Sequence, residues 1–127
     1  MSPSLLASSH IVLVVEDDGY VRMLATDMLE DEGFRVLAAA TADEAWLILE
    51  GRGDIGVLFT DINMPGNMDG LTLAARVAER WPRIRLVLTS GRRGLSNHEV
   101  PDHGQFVQKP YRQSQLLSAI AHACVGR

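Results

Sequence analysis

Five apolar runs alternate along the chain with segments of helical period, and this alternation constrains the fold more than any other feature. The runs are Ile11–Val15, Phe34–Ala39, Ile55–Thr60, Ile84–Thr89 and Gln105–Gln108. The first and fourth are nearly continuous in Val, Ile and Leu, as expected of strands covered on both faces. The last has Gln at both ends and suits an edge strand. Between the runs, Val21, Leu24, Ala25, Met28 and Leu29 recur at helical spacing. So do Ala42, Ala45, Trp46 and Leu49, then Leu71, Ala74, Ala75 and Ala78, and finally Leu117, Ile120, Ala121 and Cys124. Thr41 with Glu44 reads as a capping box at the start of the second helix, and Pro82 stops the third. The stretch Gly91–Gly104 holds several glycines and a proline without an apolar stripe, so no well-anchored helix is expected there. The pattern predicts an α/β, doubly wound, five-stranded parallel sheet of order 2-1-3-4-5 with helices on both faces.

Composition narrows the class. The 127 residues make one domain, and 46% hydrophobic against 22% charged excludes a disordered chain. Cys124 is the single cysteine, which rules out an internal disulfide and any zinc site with several thiolate ligands. A net charge of −4 argues against direct DNA binding. No apolar run approaches the roughly 18 residues of a membrane span. Residues 1–9 lack the basic flank and apolar length of a signal peptide. They read as a flexible tail before a domain spanning 10–125, in a cytoplasmic protein. His10, His98, His103 and His122 lack metal-ligand spacing and read as surface residues, Trp46 and Trp81 as helix packing, Cys124 as a small buried apolar group.

The polar residues sit where a parallel sheet makes them converge. The first run ends in Glu16-Asp17-Asp18, the third in Asp61, the fourth in Thr89-Ser90 and the fifth in Lys109-Pro110. All C-terminal strand ends of a parallel sheet share one edge, and ligands bind there at the switch in strand order. Two carboxylates roughly 4 Å apart repel by about 4 kcal/mol at an effective dielectric near 20. Such a cluster either shares protons or is neutralised by a cation. Oxygen ligands without His or Cys suit Mg²⁺, or Mn²⁺. Lys109 offers a point charge for a phosphate oxygen and Thr89 a hydroxyl for the same group. Carboxylates, a hard cation, a lysine and a hydroxyl together describe phosphoryl transfer, with Asp61 as nucleophile.

The segments VVEDD (Val14–Asp18), FTDINMPGNMDG (Phe59–Gly70), LTS (Leu88–Ser90) and QKP (Gln108–Pro110) resemble the motifs of a response regulator receiver domain of two-component signalling. The resemblance implies a flavodoxin-like fold, the fold of the chemotaxis regulator that belongs to this same family. It implies Asp61 as phosphoacceptor, with Asp17 and Asp61 as metal ligands, Glu16 acting through water and the Asn63 backbone carbonyl as a third protein ligand. Thr89 resembles the switch hydroxyl, Ser90 the small residue beside it and Lys109 the phosphate-binding lysine. A cis peptide is expected between Lys109 and Pro110. Phe106 falls at the aromatic switch position, and Asn63 and Gly91 flank the path of the hydrolytic water. The implied partners are a histidine kinase or phosphotransfer protein as donor, a downstream protein, and a second copy of the chain on phosphorylation. Such a domain catalyses only its own phosphorylation and dephosphorylation.

Two departures stand out. The turn Met64–Gly70 carries one residue more than the family's usual MPxMDG, and the segment after Thr89 lacks the family's fourth helix, part of its common output face. A module of a hybrid sensor kinase, or a phosphate sink without output, is the alternative within the family. An aspartate-based phosphohydrolase would need a second acid where Asn63 stands. A dinucleotide binder would need glycines where Glu16-Asp17-Asp18 stand. A degenerate receiver would lack the acids. Taken singly the residues have plainer readings: Asp18 as a helix cap, Asp61 as a turn residue, Thr89 as strand propensity and Phe106 as edge packing.

Overall fold

The three central strands bury both faces, and the chain covers them by returning through helices, while the two edge strands stay partly exposed. The computed structural model describes residues 11–92 and 96–125, so the proposed tail 1–9, His10, Arg93 and Gly94 lie outside the described residues. The order is β1 (Ile11–Val15), α1 (Gly19–Asp31), β2 (Arg35–Ala39), α2 (Ala42–Gly51), β3 (Ile55–Asp61), α3 (Gly70–Arg80), β4 (Arg85–Ser90), β5 (Gln105–Gln108) and α4 (Gln113–Val125). The strands form one parallel sheet of order β2-β1-β3-β4-β5, as the sequence pattern predicts. Among the described residues, no helix is long and apolar enough to cross a membrane.

Alternation along the strands divides the core in two. Ile11, Leu13, Val15, Leu58, Leu86 and Leu88 pack with α2 and α3, and Val12, Val14, Val57, Phe59 and Val87 pack with α1 and α4. Ile55 breaks this parity, because the register between β1 and β3 shifts at Ile11/Val12 and leaves Gly56 unpaired. The break leaves the Asp61 end of β3 in phase with β1.

The helix ends follow their caps. Asp18 Oδ1 accepts from the backbone N–H groups of Tyr20 and Val21 at 3.0 and 3.1 Å, satisfying two donors of the first turn. Thr41 Oγ1 accepts from Glu44 N, while Glu44 reaches Ala40 N rather than Thr41. Trp46 and Trp81 meet at a tilted angle of 57° with centroids 4.9 Å apart, and the Arg80 guanidinium lies over both rings.

Two helical stripes are rotated from the sequence reading. In α3 the buried residues are Gly70, Leu73, Ala74 and Val77, and Ala75 is exposed. In α4 they are Leu116, Ala119, Ile120 and Ala123, and Cys124 is only half-buried rather than a core residue. Both helices are rich in alanine and carry apolar side chains on more than one face, so the wider Leu and Val decide which side turns inward. The β4–β5 connection holds two single 3₁₀ turns, Asn97–Glu99 and Pro101–His103, among its described residues. Gly104 must be glycine there, because a Cβ would stand 2.6 Å from Leu86 O.

Candidate functional site

The C-terminal ends of β1, β3, β4 and β5 bring the acidic, hydroxyl and basic residues to one place. Glu16, Asp17 and Asp61 each offer a carboxylate oxygen, and these oxygens lie within 4.8 Å of one another. Glu16 and Asp61 are buried, and Asp17 is exposed at the mouth. The Lys109 ammonium donates to Glu16 Oε1 at 2.7 Å and to Asp61 Oδ2 at 3.1 Å. Thr89 is the cross-strand neighbour of Asp61. Its Oγ1 is buried and, among the described residues, has no hydrogen-bond partner.

Local backbone contacts position the strand ends that carry these residues. Arg22 Nη1 donates to Glu16 O at 2.7 Å, tying α1 to the end of β1. Glu16 Oε2 accepts from Asp18 N at 3.2 Å. After β3, Ile62 N donates to Thr89 O and Gly70 N to Ile62 O. A Cβ at Gly70 would overlap the Asp61 carbonyl oxygen, so only glycine lets α3 begin this close to the end of β3. The Lys109–Pro110 peptide bond is cis, and Lys109 N donates to Ser90 O at 3.0 Å.

One lysine offsets part of the negative charge in this pocket. Burial pushes the Glu16 carboxyl above the usual carboxylate value, and the Lys109 hydrogen bond only partly opposes it. Burial pulls Lys109 down, but its bonds to Glu16 and Asp61 outweigh that and leave it raised. Three carboxylates against one ammonium leave an excess of negative charge. The donor set is oxygen alone, which fits a hard divalent cation such as Mg²⁺.

The remaining predicted residues are placed less centrally. Phe106 is half-buried against the α2–α3 side of the core and pairs with Leu88, whereas Thr89 pairs with Val107. Gly91 faces Lys109, and a Cβ there would stand 3.8 Å from Lys109 Cβ. One residue and one contact escape sequence reasoning. Tyr111 packs edge-on against Phe59 at 5.6 Å, and burial, reinforced by Glu16 and Asp61, pushes its phenol up. Ser90 Oγ accepts from Asn63 Nδ2 at 2.7 Å and from Arg92 N at 3.1 Å. Only the place of Tyr111 two residues after Lys109 hinted at the first, and nothing in the sequence hinted at the second.

Known proteins are similar to this chain in sequence and fold. The model of the response regulator receiver domain matches residues 12–121. Sensor kinase CckA of Brucella abortus is 32% identical over 91% of this chain, and a putative NtrX-like response regulator of Rickettsia bellii is 27% identical over 89%. The chain spans only 12% and 24% of their respective lengths. A CheX–CheY–BeF₃–Mg²⁺ complex from Borrelia burgdorferi contains a chain that is 25% identical, with a TM-score of 0.80 over 91% of this chain and 90% of that one. With the five-stranded order, the acid cluster and the bridging lysine, these matches show that the chain belongs to the response regulator receiver domain family.

Proposed function

We propose that Asp61 accepts a phosphoryl group from a phosphohistidine on a histidine kinase or phosphotransfer protein. The observation that carries this reading is the contact of Lys109 Nζ with Asp61 Oδ2, inside a group of three converging carboxylates. An Asp61 carboxylate oxygen forms the new O–P bond while the donor's P–N bond breaks. The imidazole leaves with the electron pair and takes up a proton. Asp17, Asp61 and the Asn63 carbonyl would hold Mg²⁺, with Glu16 acting through water, and the bound ion would supply charge to offset that developing on the phosphoryl oxygens.

The chain's own groups do the rest. Lys109 holds one phosphoryl oxygen. The Thr89 hydroxyl, without a hydrogen-bond partner among the described residues, donates to another. Movement of Thr89 toward the phosphoryl group opens space on the β4–β5 side for Phe106. Beside the site, Val21, Leu24, Met28, Pro110 and Tyr111 line an apolar groove of about 380 Å³ that ends at Lys109. Tyr20 and Met23, on the same helix, are also exposed. This face suits a helix of the donor that carries its phosphohistidine to Asp61. Phosphorylation-dependent pairing with a second copy, a downstream protein target and a cytoplasmic location belong to the same reading.

Intact-mass measurement after acetyl phosphate and Mg²⁺ tests the chemistry. The wild type should gain about 80 Da, the mass of an added phosphoryl unit on a carboxylate. Asp61→Asn, or omission of Mg²⁺, should abolish the gain. An adduct that persists in Asp61→Asn refutes the assignment.

A further inference from the structure

Asn63 is pinned at both ends. Its backbone N–H donates to Asp61 Oδ1 at 3.2 Å, and its carboxamide Nδ2 donates to Ser90 Oγ at 2.7 Å, across 27 residues of sequence. Both anchors act on its Cα, from which the backbone carbonyl also branches. Ser90 is buried, with 1% of its surface exposed, and its hydroxyl also accepts from Arg92 N at 3.1 Å. The Ser90 backbone is equally committed, since its carbonyl accepts from Lys109 N at 3.0 Å and from Gln108 Nε2 at 2.9 Å. One rigid residue at the tip of β4 therefore holds the start of the β3–α3 loop.

That loop needs such an anchor. Beyond the buried Met64, residues 65–67 are exposed, and Gly66 takes φ +112°. A carbonyl at the base of an exposed turn wanders unless its neighbours are tied to the scaffold. A ligand oxygen that wanders binds a cation less tightly, because ordering it then opposes binding.

We propose that Ser90 is a positioning residue for the cation site. Its hydroxyl fixes the Asn63 carbonyl through the Asn63 carboxamide and so raises divalent-cation affinity, without touching the ion or the phosphoryl group. The inference rests on the reading of Asn63 as a metal ligand given above. It also assigns the carboxamide a structural partner.

Calorimetric titration of Mg²⁺ into the purified chain tests this. Ser90→Ala should weaken Mg²⁺ binding about three- to tenfold, the fold-change of one neutral hydrogen bond lost. Asn63→Ala keeps the backbone carbonyl and removes the other half of the bond at an exposed position, so it should weaken binding by the same factor. The double variant should bind no more weakly than either single variant. Ser90→Thr, which keeps Oγ, should bind more tightly than Ser90→Ala. Unfolding midpoints measured alongside separate a folding defect from a site defect; if Ser90→Ala does not fold, Asn63→Ala decides. Wild-type affinity in Asn63→Ala, or losses that add in the double variant, would overturn the proposal. A wild-type chain that binds no Mg²⁺ and gains no phosphoryl mass would instead sink the reading of the site itself. Normal wild-type binding with an indifferent Ser90→Ala and Asn63→Ala would sink the latch alone.

Discussion

The Lys109 ammonium stands closer to Glu16 than to Asp61, at 2.7 Å against 3.1 Å. Glu16 therefore aims the lysine as well as contributing to the acid cluster. Removing Lys109 leaves two buried carboxylates without their shared partner. Lys109→Met should destabilise the chain by about 1–3 kcal/mol, less than for a fully buried pair because the lysine side chain is 21% exposed. A divalent cation can replace the missing charge, so saturating Mg²⁺ should recover part of the loss in urea unfolding. A loss identical with and without Mg²⁺ would mean that the carboxylates and the cation do not share a site.

Alkaline pH reads the same ion pair. Lys109 is the only lysine in the sequence. Its ammonium is held above the ordinary value of 10.5 despite burial, through its bonds to Glu16 and Asp61. The folded chain thus binds this proton more tightly than the unfolded chain. The resulting stability is complete below 10.5 and is lost as pH rises through the folded value. Urea midpoints taken on both sides of 10.5 should fall more steeply with pH in the wild type than in Lys109→Met. Parallel slopes would show that the ion pair adds nothing to stability. Glu16, raised above 4.5 mainly by burial, has the same sign in an acidic window: its contribution is complete below 4.5 and declines as pH climbs through the folded value.

The sheet and the acid cluster were legible because both depend on position along strands. Continuous Val, Ile and Leu in β1 and β4 leave little choice but a strand buried on two faces, and parallel order then gathers Glu16, Asp17, Asp61, Thr89 and Lys109 at one edge. Helix rotation was harder to read. In α3, Leu71 and Leu73 compete for the core, and the buried Val77 lies on the side of Leu73. The β4–β5 turns carry no periodic signal, and Asp102 and His103 adopt φ of 56° and 59°, values that neither residue type demands. The Asn63–Ser90 bond joins two ordinary polar residues from different strand ends, so only the folded geometry reveals it.

Gly70 offers a steric test of the same edge. Any side chain there would collide with the Asp61 carbonyl oxygen, and backbone on backbone cannot move aside cheaply. Gly70→Ala should destabilise by roughly 2 kcal/mol or more, in the range of overpacking at a rigid contact. Because the collision is with the phosphoacceptor's own backbone, the variant should also lose acetyl phosphate labelling under conditions where it remains folded. Stability within experimental error of wild type would show that α3 can start further from β3 than the structure places it.

Thr89 offers a test of the proposed switch. A buried hydroxyl without a partner costs about 1–3 kcal/mol relative to one that is satisfied, and Thr89 Oγ1 is such a group among the described residues. Thr89→Val preserves the branched shape and removes the unpaired oxygen. The resting protein should therefore be as stable as the wild type or more so, against the usual trend for a substitution at a fully buried polar position. Beryllofluoride, which mimics the phosphoryl group on Asp61, should bind the same variant more weakly by about tenfold, one charge-assisted hydrogen bond. The two measurements move in opposite directions only if the hydroxyl is idle at rest and engaged when the site is filled. Destabilisation of the resting Thr89→Val chain would mean that Oγ1 already has a partner, and equal beryllofluoride affinity would remove Thr89 from the switch.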